Sequence, residues 1–255
     1  MTRPYKLTQS QIHTLKLAYK FRFITTHLLA EYRNLTSYTT AYQALEKIVE
    51  HGYLVKRLTQ KDKADRKNAI YYLSATGTRY LREEHQFSED VLKLMPKNSY
   101  VGEPFLQRHL ELFRLFLIIR NQYPDTFDQY SMLESAVLFE DLIAKPDLYL
   151  SRIDEDTEPG EYFLYYITEN QLFIIKRLLS KILADYNNSP IDEIFPTLLL
   201  VCPSGSVERR VCEYLRGLEL DDEVHFLTTT MKALTGSGQP DVWTSYVTEN
   251  ILLPL

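Results

Sequence analysis

The first 52 residues alternate apolar and polar positions with the period of three short amphipathic helices. The first helix follows Thr8-Gln-Ser-Gln11, which has the spacing of a capping box. Thr25 or Thr26 can cap the second helix, and Ser37 can cap the third. We expect the third helix to end at His51-Gly52. Its apolar face consists of Ala41, Ala44, Leu45, Ile48 and Val49.

Two short apolar runs, separated by a polar loop, follow the third helix. Residues 53–58 and 69–73 predict strands, and residues 59–68 predict a ten-residue loop between them. A winged helix-turn-helix has this element order: three helices, then a strand, a loop and a second strand. The loop is the wing. We therefore expect residues 1–88 to form a winged helix DNA-binding domain.

Residues 89–104 contain two prolines and a glycine, which indicates a connector. Residues 105–122 predict a helix that is apolar on more than one side and buried between layers. Beyond it the pattern predicts strands at 131–139, 147–152, 161–168, 195–202, 224–228 and 241–247, and helices at 170–187, 206–216 and 229–234. This order resembles the core of restriction-endonuclease-like enzymes. The expected fold class is thus α+β or α/β, with residues 105–255 forming a degenerate nuclease-like α/β domain.

The net charge of −5 is divided unevenly along the chain. Residues 1–86 contain fifteen Lys and Arg and seven Asp and Glu, a net charge of +8, whereas residues 87–255 carry −13. Six of the fifteen cations lie between Lys56 and Lys67, in and beside the predicted wing. The distribution indicates a basic module joined to an acidic one.

The third helix and the wing supply the candidate contacts to double-stranded DNA. The N-terminal turns of the helix would enter the major groove with uncharged hydrogen-bonding side chains. These are Ser37, Tyr38, Thr39, Thr40 and Gln43. The cations would reach the phosphate backbone and release counterions. They are Lys56, Arg57, Lys61, Lys63, Arg66 and Lys67.

The nuclease-like half has an incomplete set of acids. Pro146-Asp147 stands where such cores carry their first metal ligand, but residues 161–168 contain no acid-x-Lys group. Tyr165 and Ile167 occupy the positions where acids would be needed. We assign no catalytic residue with this pattern, and the remaining candidates are Asp147, Glu161 and Glu169. We predict no metal site and no cofactor.

Several short segments follow one another in order between residues 108 and 243. They are Arg108-His-Leu-Glu111, Pro146-Asp147, residues 181–186, residues 195–201 with Arg209, Thr228-Thr-Thr230 and Val242-Trp243. Together with the N-terminal winged helix they resemble the replication-relaxation family of plasmids and other mobile elements. The resemblance implies a link to plasmid replication and DNA relaxation. That family usually carries acids where this chain has Tyr165 and Ile167, so the resemblance does not extend to nuclease activity.

We therefore expect a non-enzymatic, duplex-DNA-binding regulator of the replication or transcription of a mobile element. The nuclease-like domain would serve dimerisation, as a homodimer, or the docking of a replication or transcription protein. Two alternatives stay open. The protein could be a metal-dependent DNA nuclease or nickase that uses Asp147, or an interaction adaptor whose winged helix docks a protein.

The chain lacks the signals of secretion and membrane insertion. Residues 1–10 have no apolar core of a signal peptide, and no apolar run approaches the roughly 20 residues of a membrane helix. Cys202 and Cys212 cannot build a disulfide framework, so we expect both thiols to be reduced and buried. These features predict a cytoplasmic protein without a membrane partner.

Overall fold

The chain is a mixed α and β protein that divides into two compact units, Met1–Leu117 and Ile118–Leu255. The computed structural model describes residues 5–58, 68–83, 87–124, 126–153, 160–168, 170–189, 195–218, 220, 224–236 and 243–245. Within these parts of the chain, none of the helices combines the length and the apolar character needed to cross a membrane.

The first unit combines short helices with a small antiparallel sheet. Its elements are α1 (Gln9–Phe21), β1 (Ile24–Thr25), α2 (Thr26–Tyr32), α3 (Tyr38–Glu50), β2 (Leu54–Arg57), β3 (Ile70–Leu73), α4 (Ala75–Glu83), α5 (Glu89–Leu92), a 3-10 turn (Met95–Ser99) and α6 (Glu103–Gln122), within which the division falls. The sheet has the order β1-β3-β2, and β3 is antiparallel to both neighbours.

The helix ends follow the capping residues of the sequence. Thr8 and Gln11 form the predicted capping box of α1, and the Thr25 hydroxyl accepts a hydrogen bond from the N–H of Leu28 to cap α2. Ser37 occupies the N-cap position of α3, but its side chain makes no capping bond. A left-handed φ of 77° at Gly52 turns the chain out of α3, as the sequence predicts.

Strand β1 is the one element of this sheet that the apolar pattern does not reveal. It has two residues, in which Ile24 lies opposite Tyr71 and Thr25 lies opposite Ile70. Two residues are too short to establish a period, and their partners are more than forty positions away in the sequence. The strand is therefore defined by tertiary pairing alone.

The predicted connector is largely folded. Within residues 89–104, α5 and the 3-10 turn bury Val91, Leu92 and Met95. The first unit also includes the chain up to Leu117, so the predicted boundary at residue 105 differs from the observed division. Proline and glycine indicated a break in the chain here, but the apolar side chains between them contribute to a core.

The first unit buries an arginine, Arg22, and a histidine, His109, close to each other. The Arg22 side chain is 7% exposed, and its Nε donates a hydrogen bond of 2.8 Å to Asn98 Oδ1. Its guanidinium carbon lies 4.8 Å from the ring centre of Phe105. His109 is buried against the rings of Phe23 and Phe105, and its Nε2 has no hydrogen-bond partner among the residues that the structure describes. Burial, together with the charges of Arg22 and Arg108, lowers the pKa of His109 to about 3.

The second unit contains a six-stranded mixed sheet. Its strands are β4 (Phe127–Ser131), β5 (Leu148–Arg152), β6 (Glu161–Tyr166), β7 (Thr197–Cys202), β8 (Phe226–Thr230) and β9 (Thr244–Ser245), and they lie in this order across the sheet. The pairs β4-β5, β5-β6 and β8-β9 are antiparallel, whereas β6-β7 and β7-β8 are parallel. The helices are α7 (Met132–Leu138), α8 (Leu172–Asn187), α9 (Gly205–Arg216) and α10 (Met231–Gly236).

The core of this unit is centred on β6 and β7. Residues 198–202 of β7 are all buried, as predicted for an apolar strand inside a sheet. One face of the two strands packs against α8 and α9, and the cluster includes Phe163, Tyr165, Leu200, Ile175, Leu179, Ile182, Val207, Val211 and Leu215. Cys202 and Cys212 are both buried and unpaired, as predicted.

One local prediction in the second unit is wrong. Residues 131–139 are not a strand, because β4 ends at Ser131 and α7 begins at Met132. Ser131 and Glu134 form a capping box, and the segment between 132 and 138 is rich in good helix formers. Helix α9 begins at Gly205, one residue before the predicted start, and its N-cap is Ser204, whose hydroxyl accepts a hydrogen bond from the N–H of Val207.

His109 makes stability pH-dependent. Its pKa is about 3 in the folded chain and near 6.5 in an unfolded one, so the unfolded state binds the proton first as pH falls. This residue should therefore remove about 2 kcal/mol of unfolding free energy between pH 7 and pH 5. Urea unfolding at both pH values should show a smaller pH dependence for His109→Leu than for the wild type. An identical dependence in the two proteins would contradict the assignment.

Candidate nucleic-acid interface

Helix α3 packs against the rest of the first unit through one apolar face. Ala41, Leu45 and Ile48 are fully buried, at the spacing of one helix stripe. Of the first six residues of the helix, 38–43, Ala41 is the only buried one. The N-terminal two turns of α3 are therefore exposed on all sides except that one.

All the uncharged residues predicted to contact DNA lie at the exposed N-terminal end of α3. Ser37, Thr39, Thr40 and Gln43 are exposed, and the Tyr38 side chain is 57% exposed. Because Ser37 does not cap the helix, its hydroxyl is available for another partner. We call this surface the α3 patch, which consists of Ser37, Tyr38, Thr39, Thr40, Tyr42 and Gln43.

The α3 patch and its border include two aromatic residues that sequence reasoning missed. Tyr42 is 43% exposed although the spacing of apolar residues places it beside the buried stripe. His27, at the start of α2, is exposed, and its ring centre lies 4.4 Å from that of Tyr38. No local signal identifies His27, because its contact joins two helices across a turn.

The two cations of β2 have partners within the first unit. Lys56 Nζ lies 2.8 Å from Glu46 Oε1 and 5.1 Å from the ring centre of Tyr42. The Tyr71 hydroxyl donates to the same Glu46 oxygen at 2.8 Å. Partial burial favours the neutral acid, but the hydrogen bonds from Lys56 and Tyr71 outweigh it and lower the pKa of Glu46. Both members of the pair are therefore charged at neutral pH, and they cancel.

Arg57 points to the main chain of a later segment. Its Nη1 donates a hydrogen bond of 3.1 Å to the carbonyl oxygen of Val101. The remaining predicted cations, Lys61, Lys63, Arg66 and Lys67, lie outside the described residues. The strands on either side are paired up to Arg57 and Ile70, so the predicted wing connects two hydrogen-bonded strand ends.

The proposed metal-ligand acid of the second unit has a structural partner. Asp147 is 5% exposed and lies directly before β5. Its Oδ2 accepts a hydrogen bond of 2.8 Å from the N–H of Tyr166, and its own N–H donates to the Leu164 carbonyl at 2.8 Å. The residue therefore joins the start of β5 to the end of β6.

The structure does not bring Asp147 and Glu161 together. Glu161 lies opposite Ser151 at the other end of the strand pair, about 13 Å along the strand from the level of Asp147 at roughly 3.3 Å per residue. Glu169 lies outside the described residues. In the parts of the chain that the structure describes, no three His, Cys, Asp or Glu side chains are grouped as they would be to hold a metal ion.

A second buried acid, Asp185, was not identified from the sequence. Its two oxygens accept hydrogen bonds from the N–H groups of Ile143 and Ala144, both at 2.7 Å. The Tyr165 hydroxyl donates to the Ala144 carbonyl at 3.0 Å. Burial, with the charges of Asp185 and Asp147, raises the pKa of Tyr165, which keeps its proton on the ring oxygen. These three side chains brace residues 143–147 against β6 and α8.

Comparison with known proteins adds no family assignment. The chain matches no protein-family model, and a search of curated proteins finds no match. A functional proposal for this protein therefore depends on its own residues and their geometry.

Removal of the Asp185 carboxylate should destabilise the second unit. Asp185→Ala leaves two N–H donors without their acceptor, and we expect a loss of about 2 to 4 kcal/mol in unfolding free energy. Asp141→Ala is the matched control. Asp141 is exposed and lies between α7 and β5, in the segment that contains Ile143 and Ala144. Urea unfolding followed by circular dichroism measures both. A loss below 1 kcal/mol for Asp185→Ala would show that the brace is dispensable.

Proposed function

We propose that this protein is a duplex-DNA-binding regulator of replication or transcription, of the kind that mobile elements carry. In this proposal residues 1–88 are a winged helix, α3 is its recognition helix and residues 59–68 form its wing. The observation that carries the proposal is the exposed N-terminal end of α3, which presents uncharged hydrogen-bonding side chains to solvent. The opposite side of the helix packs against the rest of the unit through one apolar stripe. The antiparallel sheet that follows α3 supports the same interpretation.

The size and chemistry of the α3 patch suit the major groove. That groove is about 12 Å wide and admits one α-helix by its end or its side. Gln43 can pair with an adenine edge, and Thr39 or Thr40 can bond to base edges or phosphates. Tyr38 and Tyr42 add exposed ring surface, and the Tyr38 hydroxyl can donate to phosphate oxygens.

Most of the affinity for DNA would come from cations other than Lys56 and Arg57. Glu46 neutralises Lys56, whereas Arg57 keeps its charge and donates a hydrogen bond to the Val101 carbonyl, so of these two cations only Arg57 adds to the net charge. The first 86 residues nevertheless carry +8, with four cations in the predicted wing. These wing cations are therefore the expected source of phosphate contacts and of salt dependence.

The second unit would act as a docking or dimerisation platform built on a degenerate nuclease-like scaffold. Its sheet has three antiparallel strands, β4 to β6, then β7 and β8 parallel to β6, and an antiparallel edge strand β9, and the first five of these strands support the scaffold part of this proposal. Asp147 and Asp185 both accept main-chain hydrogen bonds, which supports structural roles for them. Residues 87–255 carry −13, and such a surface repels DNA.

Replacing the four wing cations should weaken DNA binding without regard to sequence. The full-length variant with Lys61, Lys63, Arg66 and Lys67 changed to Ala should show lower affinity for all duplexes. Its plot of log K against log salt should be flatter by about 0.9 for each phosphate that the variant no longer neutralises. The control replaces four exposed cations of the second unit, Arg177, Lys181, Arg209 and Lys232. An unchanged slope in the wing variant, or an equal change in the control, would refute the wing.

Truncation within the α3 patch should reduce the preference for a selected sequence. Gln43→Ala should cost about 1 to 3 kcal/mol on the best duplex found by in vitro selection, and much less on random duplex. Gln9→Ala, at an exposed position on α1, is the control. Fluorescence anisotropy on both duplexes gives the two affinities. Equal losses on both duplexes would assign Gln43 to the backbone, and no loss on either would remove α3 from the interface.

A further inference from the structure

The second unit contains a partly open cavity of about 160 Å³ beside its core. An engineered cavity of about 150 Å³ in another protein holds a benzene molecule, so this volume suits a small organic group. The described lining residues are Phe139, Leu142, Glu161, Phe163, Ser189, Phe195 and Pro196. Apolar side chains therefore form most of the wall, and one acid accompanies them.

Three aromatic rings meet in this wall. The ring centre of Phe163 lies 4.7 Å from that of Phe139 and 5.9 Å from that of Phe195. The rings are inclined by 72° and 89°, so each pair packs edge to face. An aromatic ring attracts a cation to its face, and this attraction grows as water is excluded.

The Glu161 carboxylate has a fixed neighbour on one oxygen. Its Oε1 accepts a hydrogen bond of 2.9 Å from the Tyr149 hydroxyl. Burial and the hydrogen bond to Glu161 raise the pKa of Tyr149 to about 12, so the tyrosine remains a donor at neutral pH. Lys145 contacts the lining residue Phe139, but its Nζ donates to the main-chain oxygens of Phe139 and Glu140. No ion pair joins Glu161 to a cation in the parts of the chain that the structure describes.

We propose that this cavity binds a primary alkylammonium group. The ammonium would pair with Glu161, and the methylene chain would pack among the rings of Phe139, Phe163 and Phe195. The charge of the surroundings favours a cation, because residues 87–255 carry −13.

The hydrogen bond from Tyr149 selects an ammonium over a guanidinium. A guanidinium pairs best with both oxygens of a carboxylate through two parallel N–H bonds. Tyr149 already donates to Oε1 of Glu161, so a bidentate pair would have to compete with it. An ammonium is a compact point charge that needs one oxygen. The chemistry is shared by free aliphatic amines and by a lysine side chain of another protein.

The test compares a charged probe with a neutral one of the same shape. Full-length protein labelled with ¹⁵N-phenylalanine is titrated with n-butylammonium chloride and with 1-butanol at constant ionic strength. We expect the amide signals of Phe139, Phe163 and Phe195 to shift, with butylammonium bound at least about tenfold more tightly. Glu161→Gln should abolish this difference. Glu140→Gln, at an exposed residue of the neighbouring turn, should preserve it.

Three results would overturn the proposal. They are equal affinity for the two probes in the wild type, no shift at the three phenylalanines, and a preference for butylammonium that survives Glu161→Gln. The wild-type comparison stands by itself if the variant does not fold. A further titration with Nα-acetyl-lysine methylamide distinguishes the sources. Tighter binding of this compound than of butylammonium assigns the site to a lysine side chain, and weaker binding or none assigns it to a free amine.

Discussion

The packing of α3 through a single stripe is the constraint on which the first unit's surface depends. Ala41, Leu45 and Ile48 are buried side by side, and Gly52 turns the chain away at the helix end. Because the stripe is narrow, the first two turns of the helix project with their polar side chains outward. The neighbouring cations are meanwhile held by Glu46 and by the Val101 carbonyl. Shape and uncharged hydrogen-bonding groups therefore dominate this end of α3.

The two units use their charged residues in different ways. In the first, Arg22 is buried among an amide, main-chain oxygen and an aromatic ring, which lowers its pKa to about 10 through burial. In the second, Asp147 and Asp185 are buried as acceptors for main-chain N–H groups. A buried charge is tolerated in both cases because hydrogen bonds replace its water.

Local signals in the sequence were sufficient for most helices and strands. The capping box at Thr8 and Gln11 and the glycine at 52 have effects that act within four residues, and the structure confirms both. Contacts between distant segments were not accessible in this way. Pairing of Ile24 with Tyr71, the Glu46–Lys56 pair and the hydrogen bonds of Asp185 each join residues that no periodic pattern relates. Residues 132–138 form a helix and not the predicted strand, because Ser131 and Glu134 make a capping box at the start of this apolar run.

The brace around residues 143–147 has a consequence for how such a chain can change over time. A substitution of Asp185 is tolerated only if another group accepts the hydrogen bonds from the N–H groups of Ile143 and Ala144. Asp147 is restrained in the same way, because it accepts a hydrogen bond from the N–H of Tyr166. Mutational drift at both positions is therefore restrained by folding, whatever chemistry the protein performs. Acids that look catalytic when related sequences are compared can persist for this reason alone.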